Sequence, residues 1–168
     1  MSNKTIVITG SSGGLGLQAA KRIADLDNTV IIASRNEKKG RQVEKEIGKN
    51  SYFMQLDVSS IESMDNFVKN FNKKFSKLDI LVNNAGIMLH PSKKTKDGTE
   101  ITFATNYLGY FYLSLKLIPN LICTTNPKII NVSSISSYHV EKINWDYFDP
   151  IKKISSLREK REIYEHTN

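Results

Sequence analysis

Two tyrosines in the last third of the chain have surroundings that suit proton transfer. Tyr138 precedes Lys142 by four residues in "YHVEK", just after the serine-rich "NVSS", and Tyr164 lies in the terminal "REIYEHTN". A phenol has an ordinary pKa of about 10, too high for easy proton transfer at about pH 7. A lysine one helical turn away lies on the same helix face and lowers that pKa. Spacing alone therefore indicates an acid–base pair at Tyr138 and Lys142.

The elements that would position such a pair alternate along the chain. Apolar Val/Ile/Leu-rich runs predict strands, and longer stretches with apolar residues at three- and four-residue steps predict helices. Strands of this kind, separated by helices, are typical of a parallel sheet covered on both faces. We expect one doubly wound α/β domain over residues 1–168, with about five strands at 4–9, 29–34, 51–58, 78–83 and 128–133. Helices are predicted at 15–27, 37–48, 59–77, 97–123 and 155–168.

A glycine-rich loop, "TGSSGGLG", follows the first predicted strand and opens the first helix. Glycines in this context let the backbone approach a pyrophosphate, which then lies at the positive end of the helix. The loop therefore predicts dinucleotide binding. Its predicted contact residues are Gly10, Ser12, Gly14, Leu15 and Gly16.

The end of the second strand bears on the choice of cofactor. Dehydrogenases that use NAD usually present an acidic residue here to the ribose 2′-hydroxyl, whereas a basic residue favours the 2′-phosphate of NADP. The chain has Ser34 and Arg35 at this point and no acidic residue. We therefore predict NADP, with NAD less favoured; the alternative interpretation is that Arg35 is an ordinary surface residue.

Five motifs in order resemble those of the short-chain dehydrogenase/reductase family. They are the glycine loop, "LDV" (56–58), "NNAG" (83–86), "DGTEITFATNYLGYFYL" (97–113) and "INVSS" (130–134). The segment 97–113, with "KINW" (142–145), is most similar to the retinol-dehydrogenase and WW-domain-oxidoreductase branch. The resemblance implies a Rossmann-type fold whose later strands are missing from this chain, so that the fifth strand is an exposed edge.

The resemblance also implies roles for individual residues. Asp57 and Val58 would contact the adenine side of the cofactor, and Asn84, Ala85 and Gly86 would line its site. Asn106 would support a proton-relay water, Ser134 would hold the substrate oxygen, and Tyr164 would transfer the proton.

Tyr164 is favoured over Tyr138 because of its position. Tyr138 is four residues past Ser134, and four residues span at most about 14 Å, too little to leave the sheet and begin the next helix. Tyr164 lies inside a predicted helix whose start, Ser156 and Glu159, fits a capping box. The family pattern has serine and then lysine where this chain has Thr167 and Asn168. Asn168 carries no charge, so activity is in doubt.

Composition and charge narrow the classes of protein to which this chain can belong. The net charge of +7 comes from scattered lysines with acidic residues between them, which is typical of a solvated surface and does not indicate nucleic-acid binding. The histidines are far apart, so no metal site is predicted. A single cysteine, no secretory signal and no uninterrupted apolar span favour a cytoplasmic protein without a membrane segment.

Three functions remain open at this point. The first is an NADP-dependent oxidoreductase that transfers hydride between a nicotinamide and a small carbonyl or alcohol substrate, with homo-oligomerisation possible as in the family. The second is a truncated, non-catalytic dinucleotide-binding remnant with a regulatory or interaction role. The third is a basic protein that uses the fold as a scaffold for another partner.

Overall fold

The computed structural model describes residues 3–88, 93–139, 141–148 and 157–167, with the backbone alone for 147–148 and 157–160. Five strands form one parallel sheet in the order β3-β2-β1-β4-β5. The chain first builds outward from β1 to β3 and then crosses to the other side of β1, so the expected doubly wound α/β fold is confirmed. The strands are β1 Thr5–Thr9, β2 Thr29–Ser34, β3 Ser51–Gln55, β4 Ile80–Asn83 and β5 Lys128–Asn131.

Helices cover both faces of this sheet. Side-chain caps begin several of them: Asn36 accepts a hydrogen bond from the Lys39 amide at 2.9 Å, and Ser60 accepts one from the Ser63 amide at 3.2 Å. The helices are α1 Gly14–Ala24, α2 Glu37–Ile47, α3 Ile61–Lys74, α4 Ile101–Phe103, α5 Gly109–Leu121 and α6 Leu157–His166. Two short 3₁₀ helices, Ile135–His139 and Trp145–Phe148, follow β5.

The core lies on both faces of the central strands. Alternate residues of β1 point to opposite faces: Ile6 and Ile8 pack with α1, whereas Val7 packs with the helices on the other side. Phe67 and Phe71 of α3 are fully buried in that second cluster. Burying each such side chain contributes about 1.5–3 kcal/mol. The packed centre fixes the carboxyl ends of β1, β2 and β4, where the predicted cofactor residues lie.

The long helix predicted at 97–123 is shorter than expected and is interrupted. Residues 95–99 form a turn in which the Thr95 amide donates to the Thr99 carbonyl at 2.9 Å and Gly98 has a φ of +87°. The helix therefore begins only at Ile101, where Glu100 caps the Phe103 amide at 2.7 Å. A wider π-helical turn, Ala104–Leu108, then separates α4 from α5.

The third strand also ends earlier than predicted, at Gln55 rather than at residue 58. Beyond it the chain turns, because the Asp57 carboxylate accepts hydrogen bonds from the Ser59 amide at 3.0 Å and from its hydroxyl at 2.6 Å. This local turn releases Asp57 and Val58 from the sheet at its carboxyl edge.

The last strand, β5, lies at the edge of the sheet, as expected. Its four residues are all exposed, and Ile130 keeps 45% of its surface accessible. The strand β2 differs sharply, because five of its six residues are buried. No helix in the described residues has the length and apolar character needed to cross a bilayer.

Candidate functional site

The glycine loop packs closely against the loop that follows β4. A Cβ atom built on Gly10 would lie 2.9 Å from the Cα atom of Ala85, and Gly10 has a φ of +68°. A Cβ on Gly16 would lie 2.6 Å from the Asn84 side-chain nitrogen. Real Cβ atoms do not come this close, so both positions require glycine for the two loops to touch.

Thr9, the last residue of β1, fastens these loops together. Its hydroxyl oxygen accepts hydrogen bonds from the amides of Asn84 and Ala85, each at 2.9 Å. Its carbonyl oxygen accepts one from the Asn84 side chain at 2.8 Å. Thr9 is fully buried, so water does not compete for these hydrogen bonds. The network therefore fixes the backbone positions of both loops.

A cleft of about 590 Å³ opens at this edge of the sheet. Every residue that the sequence predicted for the cofactor lies in its wall. The eleven are Gly10, Ser12, Gly14, Leu15, Gly16, Arg35, Asp57, Val58, Asn84, Ala85 and Gly86. Four sequence segments, spread from residue 10 to residue 86 and separated by helices, therefore meet at one surface.

The same cleft contains polar residues that the sequence analysis did not select. Ser34 is buried, and its hydroxyl has no hydrogen-bond partner among the described residues. Lys39, in the first turn of α2, lines the cleft with Arg35. Within the described part of the chain, neither cation lies within ion-pair distance of an acidic group. The lysine lies four residues after Arg35, a spacing that could have identified it.

Asn106 lies in the π-helical turn, and both ends of its side-chain amide are hydrogen-bonded. Its amide oxygen accepts from the Ile87 N–H, and its amide nitrogen donates to the Ile87 carbonyl, both at 3.0 Å. Asn106 thus ties the helix to the loop after β4.

A smaller cavity of about 210 Å³, which we call the chamber, adjoins the cleft. The two share part of their walls, namely Asn84, Gly86, Ile87 and Val132. The rest of the chamber wall is made by Met88, Tyr110, Ser133 and Tyr164. The predicted Tyr164 is therefore brought to the edge of the cleft.

The serine in the chamber is Ser133, whereas the sequence predicted Ser134. The Ser134 hydroxyl instead accepts a hydrogen bond from the Ser136 amide at 3.2 Å, inside the 3₁₀ turn. Ser134 does not line the chamber. The catalytic role predicted for it stays a prediction, and the geometry adds Ser133 as a second candidate.

A third cavity of about 600 Å³, which we call the groove, runs between α5 and β5. It shares Tyr110, Val132 and Ser133 with the chamber. Asn106 lies in its wall, together with aromatic and aliphatic side chains such as Phe111 and Ile129. The chamber therefore lies between the cleft on one side and the groove on the other.

Tyr164 reaches the chamber because α6 lies against the segment after β5. Ile163 beside it is 1% exposed and anchors the helix in the protein. At the outer side, His139 Nδ1 lies 3.7 Å from a Glu165 carboxylate oxygen that also accepts a 2.9 Å bond from Arg161. His166 Nε2 lies 3.2 Å from the Lys142 carbonyl oxygen.

The alternative pair, Tyr138 and Lys142, lies elsewhere. Tyr138 is 87% exposed in the first 3₁₀ helix, where a loop was expected, and it lines neither the cleft nor the chamber. Three residues of the predicted terminal helix, Ser155, Ser156 and Asn168, fall outside the described residues, and Glu159 is described by its backbone alone.

A second phenol shares the chamber with Tyr164. Burial, and then the negative charge that Tyr164 would carry when ionised, raises the pKa of Tyr110 to about 12. Tyr110 therefore remains a neutral hydroxyl at physiological pH. The sequence analysis did not select it, although it follows Asn106 by one helical turn.

Comparison with known proteins agrees with this architecture. The family model for short chain dehydrogenase matches residues 4–147. The chain is 36% identical over 153 residues to human polyprenol dehydrogenase and 35% identical over 160 residues to human retinol dehydrogenase 12. These matches cover 86% and 92% of this chain, but 46% and 50% of the two relatives. The chain thus spans about half the length of these curated relatives.

Solved structures show the same likeness in three dimensions. A crystal structure of an uncharacterised protein from Mycobacterium paratuberculosis superposes with a TM-score of 0.81 at 30% identity, covering 99% of this chain and 57% of that one. Menthone neomenthol reductase from Mentha piperita gives a TM-score of 0.70 at 28% identity, covering 82% and 62%. With the family model matching most of its residues, the chain belongs to the short-chain dehydrogenase family.

Proposed function

We propose that this chain is the cofactor-binding part of a short-chain oxidoreductase that prefers NADP and interconverts a carbonyl compound and an alcohol. The observation that carries the proposal is the convergence of all eleven predicted cofactor residues on one cleft. The family membership supports a nicotinamide cofactor, and the open chamber beside the cleft supports a small-molecule reaction there.

The residues of the cleft fit a dinucleotide. Gly13 and Gly14 have no atom within 4 Å of the position a Cβ would take, so the backbone there is open to a ligand. This bare backbone precedes and begins α1, whose N-terminal amides favour phosphate oxygens. Asp57 and Val58 line the same cleft beyond the loop, where they would hold the adenine side.

The preference for NADP rests on the end of β2. Within the described part of the chain, Arg35 and Lys39 bring two positive charges without acidic partners to the cleft, and the Ser34 hydroxyl there has no hydrogen-bond partner. A 2′-phosphate would satisfy all three groups, because its oxygens accept charge-assisted hydrogen bonds. The 2′-hydroxyl of NAD would leave the two cations without a counter-charge.

The proposed chemistry assigns each step to a residue of this chain. When bound, the nicotinamide supplies or accepts the hydride. Tyr164 gives the proton to the substrate oxygen in reduction and takes it back in oxidation. A serine hydroxyl, Ser133 or Ser134, holds that oxygen, and Asn106 keeps the helix and the loop after β4 in register.

A second candidate function keeps the cofactor but not the reaction. Its support is Asn168, which occupies the position of the family's lysine and carries no charge to assist Tyr164. In that case the chain would bind a dinucleotide in a regulatory or interaction role. Cofactor binding without any carbonyl reduction, measured on the same preparation, would favour this candidate.

The cofactor preference is tested by fluorescence titration with NADPH and with NADH. Arg35→Asp is expected to weaken NADPH binding by about 10- to 100-fold, the loss typical of hydrogen bonds to charged groups, and NADH much less. Lys38→Asp is the matched control: it changes the charge equally, three residues away, at a side chain outside the cleft wall. Equal losses for the two cofactors would refute the role of Arg35, and no NADPH binding at millimolar concentration would refute the proposal.

A further inference from the structure

Tyr110 occupies an unusual position on α5. It lines both the chamber and the groove, so its ring forms part of the wall between the two cavities. Four other residues of the chamber, namely Asn84, Gly86, Ile87 and Val132, also line the cofactor cleft. A group bound at the chamber end of the cleft would therefore meet Tyr110 as well as Tyr164.

The other tyrosines of this helical segment have structural partners. The Tyr112 hydroxyl donates to the Asp65 carboxylate at 3.0 Å, and the Tyr107 ring stacks on Phe103 with ring centres 5.3 Å apart. The Tyr110 hydroxyl makes no hydrogen bond to any residue that the structure describes. A half-buried phenol without a protein partner is costly unless water or a ligand pairs with it.

The state of this hydroxyl determines what it can bind. With its pKa raised to about 12 by burial and then by the Tyr164 charge, Tyr110 keeps its proton throughout the physiological range. It can therefore act as a permanent hydrogen-bond donor.

We propose that the Tyr110 hydroxyl donates a hydrogen bond to the oxygen of a carbonyl substrate in the chamber, beside the proton-transferring Tyr164. This inference rests on the proposed function, because it needs a carbonyl group at the chamber end of the cofactor cleft. It gives this chain a second phenol that binds the reacting oxygen without exchanging its proton.

The two phenols have different roles in the proposed reaction. In reduction, hydride from the reduced nicotinamide adds to the carbonyl carbon, and the electron pair of the C=O π bond moves to oxygen. The Tyr164 proton then completes the alcohol, leaving a phenolate that takes a proton from solvent. Tyr110 keeps its O–H bond throughout and stabilises the negative charge that develops on the substrate oxygen.

The test uses benzaldehyde with an isotope-labelled carbonyl group, bound with NADP⁺ so that no turnover occurs. A hydrogen bond to the carbonyl oxygen lowers its stretching frequency, which difference infrared spectroscopy measures on the bound molecule. We expect the frequency to rise in Tyr110→Phe relative to the wild type. Benzaldehyde affinity should fall by about 2- to 10-fold, as expected for one hydrogen bond, while NADP⁺ affinity stays unchanged.

The matched control is Tyr107→Phe, which removes a hydroxyl from the same helical segment but from a residue outside the chamber. It should leave the carbonyl frequency unchanged. Alkaline absorbance titration of the phenols checks the substitution in the folded state, since Tyr110→Phe should remove the component that titrates near pH 12.

The outcomes separate this inference from the proposed function. If the carbonyl frequency of bound benzaldehyde is the same in the wild type and in Tyr110→Phe, the role of Tyr110 is refuted and cofactor binding is untouched. If NADP⁺ binds but benzaldehyde does not, the inference also fails, whereas the assignment of the cleft to the cofactor survives. If NADP⁺ itself does not bind, the titration overturns both before any carbonyl is added.

Discussion

The two sides of the sheet's carboxyl edge are built in different ways. On the cofactor side, buried strands end in loops whose shape depends on glycines and on the Thr9 network, so the binding surface is mostly backbone. On the reacting side, the segment after the exposed strand β5 and the helices α5 and α6 each contribute side chains to a small chamber. The first surface is formed by loops that a buried hydrogen-bond network joins, and the second by side chains from separately docked elements.

The largest expected effect concerns the reacting side. Tyr164→Phe should lower any NADPH-dependent carbonyl reduction by about 10²–10⁴-fold, the usual contribution of a general acid, and leave NADPH affinity unchanged. Tyr138→Phe is the control, because that side chain is exposed outside the chamber. Steady-state kinetics with benzaldehyde measures the activity of both variants. A loss of activity in Tyr138→Phe but not in Tyr164→Phe would reverse our choice of tyrosine.

The next comparison separates the two adjacent serines. If the chamber geometry governs catalysis, Ser133→Ala should lower the turnover rate by about 10²–10³-fold, as for loss of one donor to a developing oxyanion. Ser134→Ala should then cost less, because its hydroxyl accepts a bond within the 3₁₀ turn. A greater loss in Ser134→Ala would support the family alignment over the geometry.

On the cofactor side, the expected effect of Gly10→Ala is on stability. The new Cβ would meet the Ala85 backbone at 2.9 Å, and alanine would have to adopt a φ of +68°. Overpacking and the left-handed conformation together should reduce the free energy of unfolding by roughly 2–3 kcal/mol. Gly13→Ala is the matched control, since its backbone is extended and its Cβ would meet no protein atom within 4 Å.

Urea denaturation and NADPH titration of these two glycine variants sharpen the comparison. Gly13→Ala should remain nearly as stable as the wild type and yet bind NADPH more weakly, because its methyl group would occupy the ligand's side of the loop. Equal destabilisation of Gly10→Ala and Gly13→Ala would contradict the packing argument.

The smallest expected effect lies away from both sides, between α3 and α5. Hydrogen bonds from Lys116 at 2.8 Å and from Tyr112 at 3.0 Å lower the pKa of Asp65. A carboxyl with a lowered pKa in the folded state stabilises the fold above its unfolded pKa and loses that contribution as the pH falls. The difference in unfolding free energy between the wild type and Asp65→Asn should therefore shrink below about pH 4. Urea midpoints measured across this pH range test the prediction. A stability difference that does not depend on pH would contradict it.

The contrast between the two sides also explains what the sequence could predict. Strand β2 was predicted with its exact bounds, because its apolar centre, residues 30–33, lies between a turn and a capped helix. The residues of the cleft were predicted because each belongs to a contiguous motif next to a strand end. Lys39 was missed because the chain has many lysines and only the fold shows which one faces the cleft.

The reacting side was less predictable, because a shift of one residue along the chain changes which side chain enters the chamber. Beyond Asn131 the chain leaves the sheet, and one residue decides whether Ser133 or Ser134 lies in the chamber. The π-helical turn adds a similar offset to the helix that carries Asn106 and Tyr110. Periodicity predicts the helix but not this irregular turn, so Tyr110 was not recognised as a neighbour of Tyr164.

The attachment of α6 has a consequence for how the molecule opens. Among its described side chains, from residue 161 onward, Ile163 is buried, and two contacts lie at the outer side: His139 with Glu165, and His166 with the Lys142 carbonyl. A short helix held in this way forms a cooperative unit with a low free energy of local opening. Its amide hydrogens should exchange with solvent well before those of β1 and β2, so Tyr164 would leave and re-enter the chamber while the cofactor cleft stays intact.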